Sequence, residues 1–431
     1  MREQTAPLVG TASHDAVMLI EGGKPLQGSV TISGSKNATM GAMAAALLVP
    51  EDCHLENVPA IGDVGHMAEI LRSLGAIVEP TSEHGLRINC AELTGCSPPT
   101  ELVGNLRGSF LVVGALLARL GQAACAPPGG DVIGQRPIDV HLAGFGAMGA
   151  RVGREGGRYV VDCDGLTGAT LFADYPSVLG TQNLMLAAAT ARGTTTIVNA
   201  AAEPEVQSLA VMLNSMGARI SGIGTANVTI HGVEALHGTT YRIIPDRLEA
   251  GTFAIAAAIT NGRVEIQGVE PEHLLSLIAK MREAGVKIEE SGDSLRVRWD
   301  GELRSVTIQA LPYPGLATDL QAPMSVLLTQ ARGVSYVHER VFDNRLLYVT
   351  ELRKMGAEVV TTGTTTAIIS GPTPLIGSSV RALDIRAGAA LILAGLAASG
   401  RTEIADVYHV DRGYERIGDK LRGLGAAIER V

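Results

Sequence analysis

A short phrase recurs six times along the chain, and this repetition limits the fold more than any other feature. Each copy ends an amphipathic segment with a glycine and then begins a strand-like segment. The copies read RSLGAIVE, GAMGARV, NSMGARIS, REAGVKIE, RKMGAEVV and RGLGAAIE, with the glycine at positions 75, 149, 217, 285, 356 and 425. The spacings are 74, 68, 68, 71 and 69 residues, which predicts six structural units of nearly equal length.

A second landmark keeps the same period. Alanine-rich segments end at a glycine and a strand follows, at positions 121, 193, 262, 333 and 400, while the first unit has Pro50 there. Glycine just after the last helical residue is the preferred C-terminal cap of a helix. The two landmarks together predict that each unit holds two helices and several strands, and that six units form two domains of three.

The domain boundary is predicted near Tyr241–Asp246, where the fourth unit opens. We expect a first domain over residues 36–244, a second over 17–35 and 245–431, and a flexible tail over 1–16. The chain has 431 residues, of which 46% are hydrophobic and 18% charged, as in α/β proteins with more than one domain. A cleft between two such halves is the natural place for a ligand.

Composition excludes several classes of function. The net charge of −9 argues against a nucleic-acid partner, which would favour a basic face. Five cysteines show no C-x-x-C or Cys–His spacing, so we expect reduced thiols in a cytoplasmic protein and no metal site. The N-terminal residues lack the apolar core of a signal peptide, and the apolar runs are too short to span a membrane.

The segment Pro127–His141, PPGGDVIGQRPIDVH, is too rich in proline and glycine for a helix or a central strand. Its flanks are apolar, which argues against disorder, and loops of this length are commonly functional. We interpret it as a mobile active-site flap that carries an acid, Asp131, and an anion-binding arginine, Arg136. The alternative is a surface turn with solvated charges.

Other charged residues stand where apolar strands meet helices. Lys36 lies in a Gly-Ser-Lys-Asn turn that opens a helix, where backbone N–H groups favour an anion. Charges in such apolar surroundings need partners or a cavity. Arginine binds carboxylate and phosphate bidentately, so the set predicts a ligand with two or more anionic groups. The further members of the set are Arg107, Asp319, Arg345, Asp384, Arg386, Asp411 and Arg412.

These residues lie in motifs that, taken in order, resemble the UDP-N-acetylglucosamine 1-carboxyvinyltransferase family. The motifs are SGSKNA, the flap, PDR-x-E-x-GTF, TD-x-Q-A, F-x-NR, D-x-RA and HxDRGYER, and the resemblance runs from about Met18 to Val431. It implies an α/β fold of two inside-out α/β barrel domains, each of three repeated units. It also implies transfer of the enolpyruvyl group of phosphoenolpyruvate to the 3′-hydroxyl of UDP-N-acetylglucosamine in peptidoglycan synthesis, with no metal and no cofactor.

The resemblance also assigns residues. Asp131 would be the flap acid and Asp319 the base, with Lys36 indispensable beside them. Phosphoenolpyruvate would bind through Lys36, Arg136 and Arg412 at its phosphate and through Arg345 and Arg386 at its carboxylate, with Asn37 bridging to the sugar nucleotide. The nucleotide side would be lined by Arg107, Arg136, Pro137, Ile138, Asp139, Val140, His141, Ser177, Val178 and Val341, with Asp319 at the sugar hydroxyl.

Three departures from the family pattern matter. Asp131 stands where most members have the cysteine that fosfomycin alkylates, which predicts insensitivity to that drug. Tyr175 and Leu179 replace a lysine and a glycine on the uridine side of the site. A related sugar nucleotide is therefore an alternative acceptor. There are three competing interpretations. The flap sequence argues against a 5-enolpyruvylshikimate-3-phosphate synthase, and the net negative charge argues against an RNA 3′-phosphate cyclase-like protein. The presence of both Lys36 and Asp319 argues against a non-catalytic nucleotide-sugar sensor.

Overall fold

Helices and strands follow one another along residues 16–299 and 301–431, the part of the chain that this computed structural model describes. Apart from Ala16, the tail expected over residues 1–16 lies outside the described residues. The α-helices are α1 (Lys36–Ala45), α2 (Gly62–Ser73), α3 (Thr100–Val103), α4 (Leu111–Leu120), α5 (Asp139–Ala147), α6 (Val178–Ala188), α7 (Pro204–Ser215), α8 (Arg247–Ile259), α9 (Leu275–Glu283), α10 (Thr318–Leu328), α11 (Tyr348–Lys354), α12 (Ile385–Ala397), α13 (Tyr408–Asp411) and α14 (Ile417–Gly423).

Short 3₁₀ turns lie at Ala46–Leu48, Arg107–Phe110, Pro271–Leu274 and Arg345–Leu347. The strands are β1 (Met18–Glu21), β2 (Gln27–Thr31), β3 (Cys53–Glu56), β4 (Ile77–Ser82), β5 (Gly85–Asn89), β6 (Gln122–Cys125), β7 (Arg151–Glu155), β8 (Arg158–Asp162), β9 (Thr170–Phe172), β10 (Thr194–Val198), β11 (Arg219–Ser221), β12 (Asn227–His231), β13 (Thr240–Arg242), β14 (Arg263–Gln267), β15 (Lys287–Ser291), β16 (Ser294–Arg298), β17 (Ile308–Ala310), β18 (Gly333–Glu339), β19 (Val359–Thr362), β20 (Thr366–Gly371), β21 (Ser379–Arg381), β22 (Arg401–Ala405) and β23 (Ala427–Arg430).

The six repeat glycines share one backbone conformation. Their φ angles lie between +91° and +101°, at positions 75, 149, 217, 285, 356 and 425. A side chain is strained at such angles, so glycine ends each outer helix before the next strand. The second landmark is less uniform, because Asn261 takes the left-handed conformation (φ +54°) that the sequence predicted for Gly262. Gly262 is instead required for space, since a Cβ there would lie 2.4 Å from the Leu26 carbonyl oxygen.

Unit 1 comprises Gly34–Gly130 and Pro137–Ile244. Its three sheets have the strand orders β13-β3-β5-β4, β6-β8-β7 and β11-β12-β10-β9. The last strand of the unit, β13, pairs parallel to its first strand, β3, with Thr240 opposite His54. The chain therefore returns to its starting sheet, and the three repeats share one continuous core that includes α1, α4 and α6.

Unit 2 comprises the described part of Thr11–Ser33, the segment Asp131–Arg136, and Pro245–Val431. Its sheets have the orders β15-β16-β14-β2, β17-β18-β20-β19 and β21-β22-β1-β23. Here the N-terminal strands complete the sheets, since β2 pairs parallel to β14 and β1 lies antiparallel between β22 and β23. This division differs from the predicted ranges at Gly34 and Ser35, which were expected in the second domain, and at Asp131–Arg136, which was expected in the first.

The inner helices of each unit are buried on nearly all sides. In α12, for example, every residue from Ile385 to Leu396 is buried. Small residues let α8, α10 and α12 pack against one another, and the sheets of the unit lie outside them with alternating buried and exposed residues. Each unit thus has helices inside and sheets outside. Within residues 16–299 and 301–431, none of the helices combines the length and apolarity that a membrane crossing requires.

The left-handed glycines of the two sequence landmarks predict two separable effects of a Gly→Ala substitution in unit 1. At Gly193 (φ +94°) no atom lies within 4 Å of an added Cβ, so only backbone strain is introduced. At Gly75 (φ +101°) the Cβ would also lie 2.6 Å from the Glu92 carbonyl oxygen. We expect Gly193→Ala to lower the free energy of unfolding by about 1–2 kcal/mol and Gly75→Ala by at least about 1 kcal/mol more.

Urea unfolding followed by circular dichroism measures this difference. Gly153→Ala is the control, because its Cβ meets nothing within 4 Å and its φ is not in the left-handed region; it should change stability by less than about 0.5 kcal/mol. Equal destabilisation by Gly75→Ala and Gly193→Ala would contradict the steric part of the argument.

Candidate functional site

Six charged side chains come together in unit 2, and we refer to them as the arginine cluster. Three of them, Asp319, Arg345 and Arg386, stand at the beginnings of helices or turns, where backbone N–H groups point outward. Asp319 is the second residue of α10 and Arg386 the second residue of α12. The members are Asp131, Arg136, Asp319, Arg345, Arg386 and Arg412, all of them predicted site residues.

Asp319 joins two buried arginines. Its Oδ1 accepts a hydrogen bond from Arg345 Nη2 at 2.9 Å, and its Oδ2 accepts one from Arg386 Nε at 2.9 Å. Arg386 lies over the ring of Tyr414, with its Cζ 5.0 Å from the ring centroid. Its Nη1 and Nη2 are buried and make no hydrogen bond of normal geometry in the described part of the chain, although the Tyr414 hydroxyl lies close to the guanidinium group. Buried donors of this kind are normally satisfied, so they suit an anionic ligand.

The six members of the cluster bring four guanidinium groups together with two carboxylates. The buried carboxylates of Glu339 and Asp384 lie close enough to offset part of the positive charge. Burial lowers the pKa of Arg136, and the neighbouring Arg345 and Arg412 lower it further, although Asp131 and Asp319 oppose them. Burial also disfavours the charge of Arg345, but the carboxylates of Asp319, Asp384 and Glu339 outweigh it and raise that pKa. Several guanidinium groups held close together at this cost favour an anionic ligand.

The predicted flap acid, Asp131, lies within the same cluster. Asp131 Oδ1 lies 2.7 Å from Arg412 Nη1, and its backbone carbonyl accepts a hydrogen bond from Arg136 Nη2 at 2.7 Å. The side chains of Asp131 and Arg412 are only 15% and 16% exposed. The predicted acid is therefore paired with an arginine that the sequence analysis assigned to phosphate.

In unit 1, Lys36 is the first residue of α1, and Ser35 caps that helix by accepting from the Ala38 N–H at 3.3 Å. Lys36 Nζ donates to Asp63 Oδ2 at 3.1 Å, and Asp63 is only 1% exposed. Asn37 follows Lys36 and is half-buried. Sequence reasoning missed Asp63, because an acid in the first turn of α2 looks like any other helix-dipole charge.

Arg107 links the two ends of the flap. Its Nη1 donates to the Pro128 carbonyl at 3.3 Å, and its Nη2 donates to the Pro137 carbonyl at 3.4 Å. Pro128 and Pro137 flank the segment that carries Asp131 and Arg136. Arg107 thus supports the flap at its base, a role that the sequence alone did not suggest.

The remaining nucleotide-side residues of unit 1 lie near the beginnings of α5 and α6. Ser177 caps α6 by accepting from the Gly180 N–H at 3.1 Å, and a Cβ on Gly180 would lie 2.9 Å from Val140 Cγ1. Pro137 and Asp139 are exposed, whereas Ile138 is 7% exposed and Val178 half-buried. Tyr175 is 41% exposed. Val341 lies in unit 2, where its N–H donates to Glu339 Oε1 at 2.8 Å.

His141 is 2% exposed, and its ring faces the core of unit 1. Asn183 Oδ1 accepts from the Gly114 N–H at 2.7 Å, so the Asn183 amide group must donate to His141 Nδ1, at 2.9 Å. Nδ1 is therefore an acceptor and the imidazole is neutral. Phe110 packs edge-on against it with ring centroids 5.2 Å apart. The buried ring therefore supports the first turn of α5 from the side of the core.

Comparison with known proteins gives the family. The model of the family EPSP synthase (3-phosphoshikimate 1-carboxyvinyltransferase) matches residues 20–421. A UDP-N-acetylglucosamine 1-carboxyvinyltransferase of Magnetococcus marinus is 48% identical over 415 residues, which cover 96% of this chain and 99% of the relative. One from a Nostoc species is 48% identical over 426 residues, covering 98% and 95%. The chain belongs to the UDP-N-acetylglucosamine 1-carboxyvinyltransferase family.

Solved structures agree with the fold predicted for this family. The enolpyruvyl transferase NikO from Streptomyces tendae superposes with a TM-score of 0.87 at 26% identity, covering 97% of this chain and 99% of NikO. An EPSP synthase of Acinetobacter baumannii has a TM-score of 0.75 at 17% identity, which shows a common fold. The predicted family and the predicted enolpyruvyl transferase fold are both confirmed.

The buried imidazole predicts a specific sensitivity of this family member to acid. Burial, with the nearby positive charge of Arg107, lowers the pKa of folded His141 from 6.5 to about 3. Between these values the unfolded chain binds more protons than the folded one, so stability falls as the pH falls. From pH 6.5 to 5 the loss reaches about 2 kcal/mol for one such group.

Urea unfolding at pH 6.5 and pH 5 tests this with His141→Gln, which has no titrating group. The loss of stability on acidification should be smaller by up to about 2 kcal/mol in this variant than in the wild type. The control is His237→Gln, whose side chain is exposed, and it should follow the wild type. An unchanged acid dependence in His141→Gln would contradict the assignment of a neutral ring.

Proposed function

We propose that the chain transfers the enolpyruvyl group of phosphoenolpyruvate to the 3′-hydroxyl of UDP-N-acetylglucosamine and releases phosphate. The observation that carries this proposal is the arginine cluster, in which four guanidinium groups, among them the buried one of Arg386, suit a small molecule with a phosphate and a carboxylate. Family membership supplies the reaction, which is the first committed step of peptidoglycan synthesis. Both substrates are metabolites of the cytoplasm, and we propose that the protein acts there.

The proposal gives each charged residue a part in binding. Arg136 and Arg412 hold the phosphate of phosphoenolpyruvate, and Lys36 serves as a further phosphate anchor. Arg345 and Arg386 hold the carboxylate. Asn37 connects the two substrates, and Arg107 with the residues at the beginnings of α5 and α6 faces the nucleotide. Preorganised positive groups of this kind also stabilise the phosphate as it leaves.

Two carboxylates perform the proton transfers in this proposal. Asp131 donates a proton to C3 of phosphoenolpyruvate, which makes C2 electrophilic. The sugar 3′-oxygen attacks C2 while Asp319 takes its proton, and a tetrahedral adduct forms. Phosphate then leaves with the electrons of its bond to C2 and takes up the proton held by Asp319. C3 returns a proton to the Asp131 carboxylate, and the electrons of that C–H bond restore the double bond. Two positioned acid–base groups suffice for this sequence of steps.

The contacts of these carboxylates suggest how substrate binding activates them. Asp319 shares Arg345 and Arg386 with the proposed site of the substrate carboxylate, and Asp131 shares Arg412 with the proposed site of the phosphate. Phosphoenolpyruvate therefore competes with each protein carboxylate for its arginine. Once the arginines are engaged by the substrate, Asp319 becomes more basic and Asp131 easier to protonate.

The function and the base are tested together by an assay of phosphate release from phosphoenolpyruvate, with UDP-N-acetylglucosamine or shikimate 3-phosphate as acceptor. We expect turnover with the sugar nucleotide alone. Asp319→Asn keeps the shape of the side chain but removes its basicity, so kcat should fall about 10²–10⁴-fold. The control is Asp293→Asn at an exposed turn of unit 2, which should be neutral. Turnover with shikimate 3-phosphate alone would refute the proposed acceptor, and near-normal turnover in Asp319→Asn would exclude this residue as the base.

The flap acid predicts the response to fosfomycin. A thiolate is the better nucleophile toward its epoxide, and here the carboxylate of Asp131 is also paired with Arg412 at 2.7 Å. The wild type should keep full activity during prolonged incubation with the drug. Asp131→Cys should turn over and be inactivated with time, and Asp131→Ala should lose about 10²–10⁴-fold in kcat. Covalent modification of the wild type, detected by mass spectrometry of the intact protein, would show that the flap assignment is wrong.

A further inference from the structure

A buried carboxylate fixes the loop that follows β18. Glu339, the last residue of that strand, is 1% exposed. Its Oε1 accepts hydrogen bonds from the N–H groups of Val341 and Phe342 at 2.8 and 3.2 Å, and its Oε2 accepts one from the Thr318 hydroxyl at 2.8 Å. Because Thr318 is the first residue of α10, the loop is fastened to the helix that carries Asp319. The sequence did not single out Glu339.

This fastened loop carries Asp343, which contacts the tip of the flap within unit 2. Asp343 Oδ1 accepts a hydrogen bond from the Gln135 N–H at 3.1 Å. Gly134 has a φ of +117°, and a Cβ built on it would lie 1.9 Å from the same Oδ1 and 3.1 Å from the Asn344 nitrogen. The flap backbone thus passes close to the loop, and the positive φ together with the Asp343 side chain favours glycine at position 134.

The contact lies between the two functional residues of the flap tip. Asp131 and Arg136 stand three residues before and two residues after Gly134, and Ile133 beside it is 4% exposed. Asp343 accepts its hydrogen bond from a backbone N–H group. It therefore fixes the position of the flap tip while the side chains of Asp131 and Arg136 stay available for the proposed function. A hydrogen bond to an ionised acceptor is stronger than a neutral one.

From this geometry we propose that Asp343 is a positioning residue, which holds the Gly134–Gln135 backbone so that Asp131 and Arg136 stand in the arginine cluster. Its effect on the reaction rests on the proposed function, whereas its effect on the flap does not. A misplacement of a reacting group by about 1 Å can lower a rate about a hundredfold, so a modest local contact is enough to matter.

Hydrogen exchange and kinetics on the full chain test the role, with Asp343→Ala, Asp343→Asn and the exposed control Asp293→Ala. In Asp343→Ala we expect the Gln135 amide to exchange at least about tenfold faster and kcat to fall at least about tenfold. Asp343→Asn keeps an acceptor oxygen, so its exchange rate at Gln135 and its kcat should both lie close to those of the wild type. The melting temperature should stay near that of the wild type, because the Asp343 side chain is exposed and loses no core packing. Asp293→Ala should leave both readings unchanged.

Gly134→Ala provides a second variant, since its Cβ meets the same oxygen; it should reproduce the faster exchange while residue 343 remains aspartate. If the Gln135 amide of Asp343→Ala exchanges at the wild-type rate, Asp343 does not hold the flap backbone and the proposal is wrong. Faster exchange with kcat within about twofold of the wild type would overturn the positioning role. Hydrogen exchange is measured without substrates and therefore tests the contact between Asp343 and the flap independently of the reaction. If the wild type releases phosphate with neither acceptor, the proposed function is refuted, but the exchange rate of the Gln135 amide still shows whether Asp343 holds the flap.

Discussion

Six helices that are buried on nearly every side set the constraint from which the rest of the architecture follows. A helix with no polar face cannot lie on a surface, so α1, α4 and α6 must be enclosed in unit 1 and α8, α10 and α12 in unit 2. Three sheets enclose each set, and the enclosure is completed by strands that are distant in sequence. In unit 1, β13 returns to β3, and in unit 2, β1 and β2 reach from the N-terminal part of the chain to β22, β23 and β14.

Enclosed helices expose polar backbone groups only at their ends, and in each unit candidate site residues stand at these ends. Lys36 begins α1, Ser177 caps α6, Asp319 lies in the first turn of α10 and Arg386 in that of α12. Outward-pointing N–H groups favour a carboxylate or a phosphate at each of these places. The repeat thus presents equivalent positions several times, and different side chains at those positions create different local chemistry from one backbone pattern.

The charged residues of the arginine cluster are held mainly by one another. Removing an ion from water costs several kcal/mol, and apolar residues in the same places would commonly be at least as stable. Asp319 between Arg345 and Arg386, and Asp131 beside Arg412, are therefore better explained by ligand binding than by stability. A ligand with two anionic groups would compete with the protein carboxylates for these arginines, and a carboxylate that loses its arginine binds a proton more readily.

Local conformation was predictable from the sequence by itself. The period of the repeat, the left-handed glycines such as Gly75 and Gly425, the irregular flap and the family depend on neighbouring residues and on the order of motifs. Contacts between distant residues were decided only by tertiary structure. Asp131 and Arg412 are 281 residues apart, and the supports given by Asp63 and Glu339 have no signal in sequence, where they resemble ordinary surface acids. The inward-facing ring of His141 and the left-handed conformation of Asn261 rather than Gly262 were decided in the same way. A turn is stabilised by its own residues, whereas burial and pairing depend on whichever element packs against it.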